Sequence, residues 1–358
     1  MIHVDFDYFY AQCEEMRSPH YRNKPLCVCV YSERGGDSGA VATANYVARE
    51  YGVRSGLSIY RAQKLLNDID SHFIPVDFDY VSDISERAMG IMEEYADIFE
   101  YVGRDEAYLD VTSRTNSSLR VASHIGQQLK MSIRKELGMT CTAGISYNKL
   151  LSKMASNYRK PDGLTIIYPD KTQDFLSKIS LKDIHGLGKK TLLKLKSLDI
   201  HTISDAQKMD IFDMQRIFGR KMGTTLYNSV RGLDDNAVQK RPPNVQYSKI
   251  VTLSRDTNNF DELYPVLHTL CETLHGILSE RELQYRTVGV QFIHSDMSSS
   301  SRSKTMRQHT ASLMVLRETA TALLREALNR KGIMIRRLGA RVSELGEARG
   351  QQDIRNYF

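Results

Sequence analysis

Four carboxylates set the chemical question: Asp5 and Asp7 in "VDFD", and the adjacent pair Asp105 and Glu106 in "GRDEAYLD". Acidic residues are depleted in strands, and strand neighbours point to opposite faces. The surrounding "IFEYVGRDEAYLDV" nonetheless reads as a strand, a turn at Gly103 and a second strand, with the pair near the hairpin tip. Placed beside the "IHVDF" strand, this hairpin brings three or four carboxylates to one point of a sheet. Unpaired they repel, and at least one pKa is driven upward. Oxygen-only ligands suit a hard divalent ion such as Mg²⁺. Two such ions, roughly 4 Å apart, can activate a hydroxyl nucleophile and stabilise a leaving pyrophosphate. The same carboxylates could instead form a salt-bridge cluster with Arg104 or Arg49.

Further candidates carry positive charge. In "ATANYVAR", Tyr46 and Arg49 are three residues apart and share a face if the segment is helical, where they could hold a triphosphate. An ordinary amphipathic helix has the same spacing. Lys160 in "RKPDG" is another candidate phosphate ligand. "HGLGKK" has the form of a helix-hairpin-helix turn: Gly186 and Gly188 allow backbone N–H groups to face a phosphate, and Lys189 and Lys190 add charge. Any αα-turn could also use Gly-x-Gly. "IRRLGAR" puts Arg337, Gly339 and Arg341 on one face of a strand and Arg336 on the other, a surface that could track a nucleic-acid backbone or be a solvated edge.

The elements that must position these residues follow from the chain. At 358 residues, with 41% hydrophobic and 26% charged residues, it is long enough for several domains of a soluble protein. The start shows no signal peptide, and "LCVCVY" is too short to span a bilayer. The five scattered cysteines suit a reducing compartment, and Cys27 with Cys29 lacks the second pair that a zinc site needs. Net charge is +6, and residues 240–349 hold 17 Lys and Arg against 11 Asp and Glu, so the surplus sits in the C-terminal third. Such asymmetry suggests a polyanionic partner such as nucleic acid or a membrane surface, though a merely soluble basic domain has the same balance.

Strand, helix, hairpin, helix, strand is the order of a split β-α-β fold, with residues 11–76 inserted after its first strand. Residues 170–232 read as helical, Pro242 and Pro243 mark a linker, and residues 247–344 form a second α+β domain. Within it the Ser-rich segment 298–303 reads as a hairpin turn.

Together "VDFDYFYAQ", "SGAVATANY", "DEAYLD", "GIS", "KPDG" and the Gly-x-Gly turn resemble the Y-family DNA polymerases, most of all the archaeal DinB or polymerase IV type, over nearly the whole chain. The resemblance implies an α+β right-hand architecture. Its parts would be a ferredoxin-like palm (1–10 and 77–166), small fingers (11–76), a helical thumb (167–232), a linker (233–246) and an α+β little finger (247–344). It implies template-directed, error-prone synthesis past damaged bases on primer–template DNA from deoxynucleoside triphosphates, without proofreading. The expected protein is a cytoplasmic monomer with no membrane association. By position, Asp5, Asp105, Glu106 and the carbonyl of Phe6 match the ligands of two Mg²⁺ ions, and Asp7 matches none and reads as structural. Tyr10 matches the steric gate that excludes a 2′-hydroxyl. Thr43, Tyr46, Arg49 and Lys160 match triphosphate contacts, while Ala40, Ala42 and Gly56 match the small residues over the nascent base pair. Gly186, Gly188, Lys189, Lys190, Lys249, Arg336, Arg337 and Arg341 are the expected DNA contacts. One departure is Gly103-Arg104-Asp105-Glu106 where the family usually has Ser-x-Asp-Glu, which sets a cation beside the ligands; strand alternation could point Arg104 away from them, and pointing inward it would compete with the metal.

The terminal "QQDIRNYF" (350–358 in domain terms) has the spacing of peptides that bind a PCNA-type sliding clamp, with Gln351 as anchor and Ile354, Tyr357 and Phe358 as an apolar plug. Two other readings fit parts of the chain. A nucleotidyl cyclase shares the palm chemistry but needs neither the helix-hairpin-helix turn nor the basic C-terminal domain. A catalytically silent DNA-binding scaffold needs neither the three carboxylates nor Tyr10.

Overall fold

The computed structural model of the chain describes residues 1–328 and 334–347. It divides into two compact units, Met1–Val30 with Ala40–Arg241, and Tyr31–Gly39 with the chain from Pro242 onward.

The first unit opens with β1 (Ile2–Phe6) and α1 (Phe9–Arg17), followed by β2 (Leu26–Tyr31), β3 (Gly39–Ala44), α2 (Tyr46–Glu50), α3 (Ile59–Leu65) and β4 (His72–Pro75). Next come α4 (Phe78–Glu94), β5 (Ile98–Gly103), β6 (Glu106–Asp110), α5 (Thr112–Thr115), α6 (Leu119–Leu137), β7 (Cys141–Ile145), α7 (Lys149–Tyr158) and β8 (Leu164–Ile166). Helices α8 (Thr172–Leu176), α9 (Lys189–Lys196), α10 (Ile203–Gln207), α11 (Ile211–Phe218) and α12 (Arg220–Ser229) complete it.

A five-stranded sheet of order β5-β6-β1-β7-β8 forms its centre, with β1 antiparallel to both β6 and β7. Strand β1 is buried throughout, and its alternation decides what each face meets. Ile2, Val4 and Phe6 join a core with Val81, Ile84, Ala88 and Met92 of α4 and Leu129 and Ile133 of α6. The odd residues His3 and Asp5 face α7, whose Ser156 and Lys153 reach them. Helix α7 lies unusually close to the sheet because β7 offers Gly144: a Cβ there would sit 2.0 Å from the Ser152 carbonyl oxygen. The inserted segment forms a small sheet of order β3-β2-β4 packed with α2 and α3. Leu195, Met214 and Leu226 join the helical region to Leu151 and Ala155 of α7 in a third core.

The second unit contains β9 (Gln246–Thr257), α13 (Phe260–Glu280), β10 (Leu283–His294), β11 (Ser299–Thr310), α14 (Leu313–Leu328) and β12 (Ile335–Glu347). Its antiparallel sheet has the order β11-β10-β12-β9. Leu338, Ala340 and Val342 of β12 pack with Leu263, Leu267 and Leu274 of α13 and Leu316 and Leu324 of α14. The Ser-rich segment is not the turn. Ser299, Ser300 and Ser301 pair with Ile293, Phe292 and Gln291 as the start of β11. The turn lies just before it, where Met297 takes φ 67° and Asp296 Oδ1 accepts from the Ser298 N–H at 2.8 Å. Serine tolerates either conformation, so pairing with β10 decides.

Candidate active site

The hairpin places its carboxylates differently from the local reading: Gly103 pairs with Glu106, and Arg104 with Asp105 forms the turn between them. Asp is at home in a turn, so of this pair only Glu106 is an acidic strand residue. Across the sheet Asp5 pairs directly with Glu106, and the Phe6 N–H donates to the Asp105 carbonyl at 2.9 Å. Asp5, Asp105 and Glu106 therefore meet at the end of β1. Arg104 turns away, with its guanidinium carbon 5.4 Å from the Phe78 ring centroid, and its carbonyl accepts from Ser85 Oγ at 2.7 Å.

The cluster carries the expected electrostatic signature. Burial, and then the negative charges of Asp5 and Glu106, raise the Asp105 carboxyl above its ordinary value. Two ammonium groups offset the repulsion. Lys153 Nζ contacts Glu106 Oε2 and lies 3.4 Å from Asp5 Oδ2; Lys160 Nζ contacts Asp5 Oδ1 and lies 3.3 Å from the Phe6 carbonyl oxygen. Neither Arg49 nor Arg104 supplies the counter-charge. Among the described residues no group of three or more His, Cys, Asp or Glu side chains stands ready-made around a metal position. Asp5 and Glu106 are instead turned to the two lysines. The donor set is all oxygen, three carboxylates and one main-chain carbonyl, and the raised Asp105 pKa marks a cost, of burial first and then of repulsion, that a divalent cation would relieve. These residues fit Mg²⁺.

Sequence reasoning did not find Lys153 or His3. Lys153 is one helical turn beyond Lys149 in "NKLLSK", the signal available for it. His3 is fully buried between Tyr108, at 4.5 Å between ring centroids, and α7, where its Nδ1 is 2.8 Å from Ser156 Oγ. Its Nε2 lies 3.6 Å from Glu106 Oε2. Burial, then the charge of Lys153, holds His3 well below the usual histidine range, so it is neutral. A cavity of about 720 Å³ opens beside the cluster, lined by Glu106, Tyr108, Lys149, Lys153, His185 and Asp234.

The phosphate candidates come from three elements. Asn45 caps α2 by accepting from the Ala48 N–H, and this short helix sets the Arg49 guanidinium 4.7 Å from the Tyr46 ring centroid. Arg49 also donates to the Ala44 carbonyl at 2.9 Å and to the Asp7 carbonyl at 3.3 Å, which aims it at the end of β1. The Tyr46 hydroxyl is buried, makes no hydrogen bond among the described residues, and is pushed up to about 12 by burial. Thr43 lies on β3 with Ala40 and Ala42. Gly56, at φ +84°, donates its N–H to the Val41 carbonyl at 2.8 Å, and Ala40 bridges Ser58, so the three small residues lie together. Tyr10 is half-buried on α1 against the main core.

Gly186 takes φ +87° and Gly188 caps α9, leaving Lys189 and Lys190 exposed at the first turn of that helix. In the second unit Arg337 and Arg341 lie on the sheet face away from the helices. Register sets Lys249 opposite Ala340, on the helix side, so Lys249 does not join them. Gln351, Ile354, Tyr357 and Phe358 lie outside the described residues. Among the described residues no helix is long and apolar enough to cross a membrane.

Comparison with known proteins bears on the whole chain. The impB/mucB/samB family model matches residues 4–157, its C-terminal domain matches 245–355, and the DNA polymerase-iota thumb domain matches 182–234. DNA polymerase IV of Nitrosopumilus maritimus is 52% identical over 359 residues, covering 100% of this chain and 99% of the relative. DNA polymerase IV of Saccharolobus solfataricus is 32% identical, covering 98% and 97%. Among solved structures, a Y-family DNA polymerase chimera built from Dbh and Dpo4 matches with a TM-score of 0.90 at 30% identity over 97% of this chain and 99% of that one. An insertion ternary complex of Dbh DNA polymerase matches with a TM-score of 0.69 at 30% identity, covering 96% and 98%.

Proposed function

The chain belongs to the impB/mucB/samB family of Y-family DNA polymerases and is a DNA-directed DNA polymerase, and from that premise we propose that it extends primers past damaged template bases by two-metal nucleotidyl transfer without proofreading. The observation that carries the proposal is the meeting of Asp5, Asp105 and Glu106 at the end of β1, beside Arg49 and Lys160. Membership of this family removes the cyclase reading and leaves no place for a silent scaffold.

Polymerases of this family are generally dependent on divalent metal. In the proposed site Asp5, Asp105, Glu106 and the Phe6 carbonyl would hold two Mg²⁺ ions. Bound there, Mg²⁺ would acidify the primer hydroxyl and neutralise the departing pyrophosphate. The chain's own groups do the rest. Lys153 and Lys160 hold the carboxylates apart from one another's charge, and their long stems let the ammonium groups swing aside. Lys160, released from Asp5, joins Arg49, Tyr46 and Thr43 on the triphosphate of an incoming deoxynucleotide. The buried, unpaired Tyr46 hydroxyl gains a phosphate acceptor in that arrangement. Tyr10 closes the space that a 2′-hydroxyl would need. Ala40, Ala42 and Gly56 leave room over the nascent pair, a physical reason for low fidelity and lesion tolerance. Gly186, Gly188, Lys189 and Lys190 receive one stretch of DNA backbone, and Arg337 and Arg341 another. The polymerase is proposed to act as a cytoplasmic monomer, tethered through Gln351, Ile354, Tyr357 and Phe358 to a PCNA-type clamp.

Primer extension on an undamaged template and on one with an abasic site tests the reading, with Mg²⁺ omitted and restored. Synthesis past the abasic site that requires Mg²⁺ is the expected result. Extension that stops at the lesion, or continues in chelator, defeats the corresponding part. Tyr10→Ala should admit ribonucleotides, and deletion of Gln351–Phe358 should abolish stimulation by the clamp while leaving basal extension intact.

A further inference from the structure

Asp7 stands two residues from Asp5 yet takes no part in the carboxylate cluster. It is 3% exposed. Its side chain is held by neutral donors alone: Thr142 Oγ1 donates to Oδ1 at 2.5 Å, while Thr140 Oγ1 at 2.7 Å and the Asp162 N–H at 2.9 Å donate to Oδ2. A buried carboxylate needs such a full set of donors. These short, fixed groups leave it little freedom to turn toward a metal.

Two connections of Asp7 lead to the two cations proposed for the triphosphate. Its main-chain carbonyl accepts from Arg49 Nη2 at 3.3 Å. Its carboxylate holds the Asp162 N–H, two residues beyond Lys160, in a turn where Asp162 takes φ 54°. Neighbouring contacts fix the same turn: Thr142 Oγ1, itself bound to Asp7, accepts from the Gly163 N–H at 3.3 Å, and Lys130 Nζ donates to the Gly163 carbonyl at 3.0 Å. On its inner side Lys160 meets Asp5 and the Phe6 carbonyl. The stem of Lys160 thus leaves a loop whose far side is tied to β1 through Asp7.

We propose that Asp7 is a positioning residue for the triphosphate of the incoming nucleotide, acting through Arg49 and Lys160. This rests on the reading of those two side chains as triphosphate contacts. Asp7 itself touches no substrate. It sets the distance between a guanidinium on α2 and an ammonium on the loop before β8, so that both can meet one polyphosphate without first paying the entropy of ordering the loop.

The test uses the full-length protein on a dideoxy-terminated primer–template, with the Kd of the complementary deoxynucleoside triphosphate and the Kd of the DNA measured separately. Lys160→Ala and Arg49→Ala should weaken the nucleotide. Asp7→Ala should weaken it by about tenfold and Thr142→Val by about threefold, while Asp7→Asn, which keeps an acceptor for the Asp162 N–H, stays within about twofold of wild type. DNA affinity should hold throughout. In steady-state extension the loss should appear in KM for the nucleotide more than in kcat. If Lys160→Ala and Arg49→Ala weaken the nucleotide but Asp7→Ala and Thr142→Val do not, the Asp7 proposal fails and the triphosphate reading stands. If Lys160→Ala and Arg49→Ala both bind as wild type, that reading fails and the proposal falls with it. Should Asp7→Ala lose DNA binding as well, Thr142→Val decides: normal DNA affinity with unweakened nucleotide binding overturns the proposal.

Discussion

In the first unit's sheet both faces of β1 are covered, by α4 and α6 on one side and α7 on the other, and acidic charge gathers at one strand end. In the second unit α13 and α14 cover one sheet face, and Arg337 and Arg341 lie on the other, with Arg341 against Gly289, where a Cβ would meet its Nε at 3.3 Å. The first arrangement concentrates charge at a point and bears a cost, visible in the raised Asp105 carboxyl and in the two lysines drawn to the cluster. The second spreads charge along a strand, where Arg337 and Arg341 are half-buried and their Nε atoms make no hydrogen bond among the described residues. Convergence suits the capture of small divalent ions, whereas a spread face suits a polyanion whose bound counterions are released on contact. On the proposed reading, helices packed on a sheet serve two kinds of ligand, depending on whether a charged strand end or an uncovered face is presented.

The comparison can be broken most sharply at its acidic end. Asp105→Ala removes a proposed ligand of the point site but no part of the spread face. Extension in Mg²⁺ should fall by at least about a thousandfold while DNA affinity stays close to wild type; a gel-based extension assay beside a binding titration checks both. Near-normal extension would leave the convergence without a catalytic role.

The next test concerns how closely α7 lies on the sheet. Gly144→Ala adds a Cβ that would sit 2.0 Å from the Ser152 carbonyl oxygen, which no rotamer change relieves. Loss of about 3 kcal/mol in urea unfolding is expected, with Lys153 moved from Glu106. A neutral result would mean that the backbone of α7 gives way readily. Gly289→Ala, by contrast, meets the flexible end of Arg341 at 3.3 Å and the Arg302 carbonyl oxygen at an ordinary 3.5 Å, and should be far milder.

At the basic face, replacing Arg337 and Arg341 with Ala should weaken DNA binding and flatten its salt dependence by about two units of slope, roughly one per lost phosphate contact. Catalytic rate at saturating DNA should change little. An unaltered slope would show that this face does not carry the phosphate contacts.

The smallest effect is expected from protonation. With its folded pKa raised above the ordinary 3.8, Asp105 is stabilising to none of the metal-free fold when ionised. Its penalty is complete above the raised folded pKa, shrinks as pH falls through that value, and is absent below the unfolded one. In chelator, Asp105→Asn should therefore raise Tm near neutral pH and lose that advantage on acidification, as calorimetry across pH can show. A variant whose Tm tracks wild type at every pH would remove the evidence for repulsion in the cluster.

Much of this was legible in local pattern. The hairpin, the buried opening strand, the Tyr46–Arg49 pair on one helical face and the shared face of Arg337 and Arg341 all follow from periodicities of two and 3.6 residues, whereas the register shift between Ile335 and Arg337 takes Arg336 out of the alternation. Tertiary structure alone decided the partners. Lys153 is 47 residues from Glu106 in the chain and meets it because Gly144 lets α7 lie close. Asp7 had the look of a structural acid, but its link to the Lys160 loop appears only where Thr142 and Asp162 close around it. The serines of β11 became a strand because β10 offers its ladder, and Lys249 fell on the helix side because register with β12 put it there. A sequence fixes the face on which a side chain emerges, since the rise and twist of the backbone are local. What that face meets depends on which element packs there and how near, and that is set by the burial of apolar surface summed over the whole unit.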